Sequence, residues 1–114
     1  MTNSILTSTK KMLGIAEDYD AFDQDILVHI NSTIATLNQL GAISDPGLFV
    51  VDDSTTWDSL IPTTDNSLEF IKSYIYLKVR VLFDPPTGGV LDAYRQMIKE
   101  YEWRINVAAE TVGE

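Results

Sequence analysis

The sequence predicts an all-α fold: a small helical bundle of two long antiparallel helices, with short helices around them and an irregular middle segment. Three observations predict it. Apolar residues recur at steps of three and four along most of the chain, the spacing that places them on one side of a helix. Glycine or a proline pair closes these stretches, at Gly14, Gly41 and Pro85-Pro86, as helix ends require. Finally, 114 residues at 45% hydrophobic content with no cysteine suffice for one core and one domain, residues 1–114, built without disulfides.

The first helix is expected from Ser4 to Leu13. Asn3 or Ser4 offers a side-chain oxygen to the free N–H groups of the first turn. Ile5, Leu6, Thr9, Met12 and Leu13 share a face, and Lys10 and Lys11 fall in the last turn, where cations suit the helix dipole. Gly14 supplies the stop. The second helix is expected from Asp20 to Leu40, with Asp20 as cap. Its stripe is Phe22, Ile26, Ile30, Thr33, Ile34, Leu37 and Leu40. Several of its residues are β-branched and lower the intrinsic propensity, so burial of the stripe must hold it.

Between Ser44 and Asn66 the helical period disappears. Ser44-Asp45-Pro46-Gly47 is turn chemistry. Leu48-Phe49-Val50-Val51 reads as a short strand only if a second copy pairs with it, since the sequence offers no partner strand. Otherwise it stays extended. Thr55 or Thr56 caps a short turn, Trp57 to Leu60, which Pro62 ends.

The third helix is expected from Ser67 to Phe83. Leu68, Ile71, Ile75, Val79 and Leu82 form one stripe, and Phe70, Tyr74, Leu77 and Val81 a second beside it. So wide an apolar surface is buried on two sides. Tyr76, Lys78 and Arg80 are left on the polar side. Asp84-Pro85-Pro86 stops the helix. The fourth helix is expected from Gly89 to Ala109 on the stripe Leu91, Tyr94, Ile98, Tyr101, Ile105 and Ala108, with Thr111 to Glu114 as a frayed tail.

Charge is unevenly placed. The formal total is −9, but residues 12–71 carry eleven acids and neither lysine nor arginine. The part before them is basic and the part after them neutral. Such a chain lacks the basic footprint of a free-standing nucleic-acid binder and of a protein held on anionic lipid. No apolar run is long enough to cross a membrane. The N-terminal residues lack the pattern of a secretion signal, so the expected location is the cytoplasm of the producing cell.

The residues give little catalytic chemistry. His29 is the sole histidine, and its place at the edge of the second stripe suits a packed helix residue. The acids Glu17, Asp18, Asp20, Asp23 and Asp25 do not make a calcium loop. Counted from Asp18, the sixth position is Asp23 rather than glycine, and the twelfth is His29 rather than glutamate. Gly88-Gly89 has no following lysine and is no phosphate loop. No enzyme activity, metal or cofactor is expected. What stands out is a surplus of bulky groups: Phe49, Val50, Val51, Trp57, Phe70, Tyr76 and Trp103. A chain this small is expected to place some of them against another chain. Head-to-tail contacts between copies do so and close into rings. The competing expectation is a compact monomer that hides them all.

The order of segments resembles the head–tail connector (adaptor) proteins of long-tailed double-stranded-DNA bacteriophages. The front matches in Lys10-Lys11-Met12-Leu13-Gly14-Ile15 and in Asp20-Ala21-Phe22-Asp23 opening a long helix. The middle matches in Thr56-Trp57-Asp58-Ser59-Leu60. The most specific part is the run Tyr74 to Pro86, ending Leu82-Phe83-Asp84-Pro85-Pro86, followed by a helix holding Glu102-Trp103-Arg104. The resemblance covers nearly the whole chain.

It implies a ring-forming virion protein, typically of twelve subunits, at the head–tail junction, made in the host cytoplasm. The ring would sit below the portal after DNA packaging and extend the channel to the stopper or tail-completion protein. The C-terminal helix and tail would be the portal-side contact. Double-stranded DNA would pass without being bound. Candidate subunit contacts are Phe49, Val50, Val51, Tyr76, Arg80, Trp103 and Arg104, as bulky or bidentate groups on helix backs and loops. Candidate acids facing the channel or a partner are Asp45, Asp52, Asp53, Asp58 and Asp65, because carboxylates on a wall repel phosphates. The competing function is an acidic DNA mimic that blocks a host nuclease or another basic partner. It accounts for the charge but not for the motifs.

Overall fold

Helices α1 (Ile5–Met12), α2 (Asp23–Gln39), α3 (Trp57–Leu60), α4 (Asn66–Phe83) and α5 (Gly88–Gly113) follow one another in the computed structural model of the chain. It describes residues 4–43, 49–60 and 66–113, the side chains of 60, 66, 67 and 108–113 excepted. Three long helices rather than two make the bundle. α4 packs against α2 on one side and α5 on the other, and α1 packs on α2. The result is a slab measuring 44 × 35 × 22 Å.

Both glycine stops close as their sequence implies. After α1, Ile15 N–H donates to Lys10 O at 2.9 Å and Gly14 N–H to Lys11 O at 3.1 Å. After α2, Ala42 N–H donates to Leu37 O at 3.0 Å and Gly41 N–H to Asn38 O at 3.1 Å. Each pair satisfies two carbonyls that the helix end would leave free, and each needs a left-handed residue. Gly14 and Gly41 supply it, with φ of 79° and 90°.

α1 starts at its expected cap, where Ser4 Oγ accepts from Thr7 N–H at 3.2 Å. α2 starts three residues later than expected. Asp20 does not cap it with its side chain. Its carbonyl instead accepts from Asp23 N–H at 3.2 Å, and Phe22 stands at the cap position with no side-chain bond. α5 continues to Gly113, through part of the segment expected to fray.

The core is made by Ile5 and Leu6 of α1, Ile26, Ile30, Ile34 and Leu37 of α2, Ile71, Tyr74, Ile75 and Val79 of α4, and Ile98 and Ile105 of α5. Val50 and Trp57 complete it from the middle segment. Leu82, placed on the α4 stripe, is exposed instead. It lies in the last turn of its helix.

The middle segment contains no strand among its described residues, Phe49–Leu60. Leu48 and the turn before it lie outside them. The backbone of Val50 is satisfied by a side chain: Asn31 Oδ1 accepts from Val50 N–H at 2.7 Å, and Asn31 Nδ2 donates to Val50 O at 2.9 Å. One carboxamide thus does locally what a partner strand would do. Further along, Ile5 N–H donates to Thr55 O at 3.0 Å, and Ser4 forms a single antiparallel bridge with Thr56. Trp57 then enters the core, its Nε1–H donating to Ser8 Oγ at 2.9 Å.

Candidate functional site

The candidate contact residues separate into three places. Phe49 and Val51 are 60% and 59% exposed, while Val50 between them is 1% exposed. The alternation follows from the Asn31 clasp, which turns Val50 inward and its neighbours out. Val50 is therefore a core residue of the subunit, and Phe49 and Val51 are the groups this segment offers to a partner. The second place is a groove of about 260 Å³ between the end of α1, α4 and α5. Tyr76 and Arg80 line it with Met12 and Met97. Tyr76 is not on a purely polar side: its ring meets Trp57 edge-on, centroids 5.9 Å apart. Arg80 Nε–H donates to Asp84 O at 2.6 Å.

The third place is the outer side of α5. Ile98, Tyr101 and Ile105 turn this helix toward the core. Trp103 points the other way and is 67% exposed, the most open large apolar group among the described residues. Arg95, Lys99 and Trp103 step by four, so they form one row along the helix. Arg104 is held in place by Glu100, with Nη2 to Oε1 at 3.4 Å, while Arg95 and Lys99 have no ion-pair partner among the described residues.

Of the candidate acids, Asp52, Asp53 and Asp58 are exposed. Asp45 and Asp65 lie outside the described residues. Ser54 donates to Asp52 Oδ1 from its hydroxyl and from its backbone N–H at 2.9 Å. Those bonds favour the carboxylate and hold it below the usual range.

The structure also assembles a group that sequence reading did not. The loop from α1 to α2 carries Tyr19, and Phe22 follows at the start of α2. Their rings meet at 5.7 Å, Phe22 meets Phe83 of α4 at 5.4 Å, and Phe83 meets His29 at 6.4 Å. Tyr19 and Phe22 remain exposed amid Asp18, Asp20 and Asp25. The one signal in the sequence was an aromatic pair set within a run of acids. Beside this row lies an open groove of about 530 Å³ with an apolar floor of Leu13, Ile15, Phe22 and Phe83, and with Asp25 and Asp84 at its edge.

Lys10 fixes that loop. It is 3% exposed, lies 2.8 Å from Asp23 Oδ1 and donates to Glu17 O at 3.0 Å. The base expected to serve the α1 dipole thus serves as an internal tie between α1, the loop and α2.

Inside the bundle, Tyr74 OH donates to Glu102 Oε2 at 2.7 Å, and Lys78 Nζ stands 3.5 Å from the same oxygen. Burial pushes the Tyr74 phenol well above its ordinary range, and the bond to the Glu102 carboxylate pushes it the same way. This network joins α4 to α5. Among the described residues, no three histidine, aspartate or glutamate side chains could hold a metal ion, and no helix is long and apolar enough to cross a membrane.

No match to the chain was found among curated proteins or among solved structures. Comparison with known families matches residues 5–112 to the family described as phage connector protein. The match spans all five helices, the two exposed apolar places and the Leu82–Pro86 and Glu102–Arg104 motifs alike. The chain belongs to the phage connector protein family, whose members are structural components of the virion at the head–tail junction rather than enzymes.

Proposed function

We propose that the chain, as one connector domain, forms a ring below the portal after DNA packaging and extends the DNA channel toward the tail-completion or stopper protein. The family match over residues 5–112 carries this reading. Two features of the subunit support it. Bulky apolar groups stay exposed at separate places, Phe49 and Val51 on the middle segment and Trp103 on α5. A slab 22 Å in its shortest extent with contact groups on different elements suits repetition around an axis. Phe49, Val51, Tyr76, Arg80, Trp103 and Arg104 are the proposed contacts, with Val50 supporting the first two from within. Twelve copies is the expected number.

Asp45, Asp52, Asp53, Asp58 and Asp65 are proposed to face the channel or a neighbouring protein. Carboxylates along a channel repel phosphates, so DNA passes without being held. The C-terminal end of α5 is the proposed portal-side contact. Mixing the purified chain with the cognate portal and imaging the product by cryo-EM tests this reading. A ring of the chain seated on the portal is the expected result. A portal that recovers no bound chain overturns it, and a ring with all five acids on an uncontacted outer rim overturns the role given to them.

A further inference from the structure

The groove beside the aromatic row and the outer side of α5 fit each other in shape and charge. The groove offers an apolar floor of Leu13, Ile15, Phe22 and Phe83 and an acidic edge of Asp25 and Asp84, in about 530 Å³. His29 lines the groove beside them, and among the described residues Arg80 is the lysine or arginine that meets them, 3.9 Å from Asp84. The α5 row offers the reverse pattern, an exposed tryptophan preceded at steps of four by two cations, Lys99 and Arg95, that have no ion-pair partner among the described residues. An indole flanked by cations is the kind of group that anchors an interface when it enters a pocket. Cations opposite carboxylates then set the register and exclude like-charged partners.

The chain cannot fill its own groove with its own Trp103. The groove lies where α4 ends, and α5 begins just after it. Trp103 is fifteen residues beyond Gly88, about 22 Å along the helix, and it points away from α4. A second copy of the chain can reach the groove, and because donor and acceptor faces differ, the contact repeats head to tail.

The receiving face is also held in shape before anything docks. Lys10 ties the loop through Asp23 at 2.8 Å and Glu17 O at 3.0 Å, and Phe22 rests on Phe83. Little ordering remains to be done on binding.

We propose that neighbouring copies join by docking Trp103 of one copy in the Leu13–Phe22–Phe83 groove of the next, with Lys99 and Arg95 facing Asp25 and Asp84. This rests on the ring-forming reading and names the surfaces that make the ring.

Sedimentation velocity of the full chain, from micromolar to about millimolar concentration, tests it. The wild type is expected to associate as concentration rises, and less so as salt is added. Trp103→Ala, and separately Asp25→Lys with Asp84→Lys, should each weaken association by about tenfold or more. All these positions are exposed, and circular dichroism confirms that the variants fold. The decisive arm mixes the two variants. One retains a working groove and the other a working Trp103, so the mixture should form a pair that stops at two copies. Wild type that stays monomeric throughout overturns the proposal. So does association untouched by either variant, or a mixture that fails to pair. If the wild type is monomeric and the groove variant instead loses binding to the portal, the groove belongs to the portal. The ring-forming reading is judged separately, by whether the wild-type chain seats on the portal.

Discussion

The carboxamide of Asn31 bonds both backbone groups of Val50, accepting from its N–H at 2.7 Å and donating to its carbonyl at 2.9 Å. Val50 is buried, so neither group has water to fall back on. Asn31→Ala is expected to cost about 2–4 kcal/mol, the penalty of leaving two such groups unmade. Asn31→Asp keeps the acceptor and loses the donor, and should retain part of the stability. Urea denaturation of the three proteins checks the order. Loss of the clasp should also free Phe49 and Val51 from their fixed outward positions.

Trp57 is the largest fully buried side chain. Trp57→Ala should destabilise by about 3–5 kcal/mol, the usual cost of emptying such a site. Trp57→Phe keeps much of the packing but leaves Ser8 Oγ without its indole donor, and a cost of about 1–2 kcal/mol is expected. Trp103→Ala, by contrast, should change stability by about 0.5 kcal/mol or less, since its side chain stands in solvent. Thermal melts of the three variants separate the two tryptophans.

Lys10→Met removes the cation from a site that still holds Asp23 and the carbonyl of Glu17. Asp23 keeps a quarter of its side-chain surface, so water softens the loss. About 2–3 kcal/mol is expected, below the range for a fully enclosed pair. Asp23→Asn in the Lys10→Met background should recover part of it, and a double-mutant cycle by chemical denaturation measures how much.

Tyr74 makes the stability of the bundle depend on high pH. Its phenol titrates higher in the folded chain than in the unfolded one. The folded state therefore holds this proton where the unfolded state releases it. The contribution is complete below about pH 10, where an unfolded tyrosine is still protonated, and falls as pH rises above that value. Tyr74→Phe should flatten this alkaline loss while leaving stability at lower pH dependent on packing. Urea midpoints measured between about pH 8 and pH 11 check it.

Local features of the fold were legible because their causes are local. Gly14 and Gly41 mark helix ends through their own backbone freedom, and the stripes of α2, α4 and α5 follow from spacing. The start of α2 was not legible. Asp20 looks like a cap, but its side chain does not cap the helix, and Phe22, whose ring meets Phe83 of α4, takes the cap position. Lys10 reads in the sequence only as a cation suited to the end of the α1 dipole, because nothing nearby in the sequence says that Asp23 returns to meet it. The aromatic row of Tyr19, Phe22, Phe83 and His29 depends on two distant ends coming together, and no spacing rule encodes that. Val50 was grouped with its neighbours for its bulk, and only the Asn31 bonds distinguish it. Trp103 and the acids of the middle segment stood out in the sequence because their types are unusual for an exposed position or for so long a run.

The bond from Trp57 to Ser8 bridges 49 positions, and this orders how the chain folds. α1 has eight residues, too few to persist as an isolated helix in water. Its lasting partners are α2 and the segment around Thr55 to Trp57. Closing so long a loop is slow compared with forming α2 or the α4–α5 pair, whose contacts are near in sequence. α1 therefore gains its full set of contacts only after the segment around Thr55 to Trp57 has reached it.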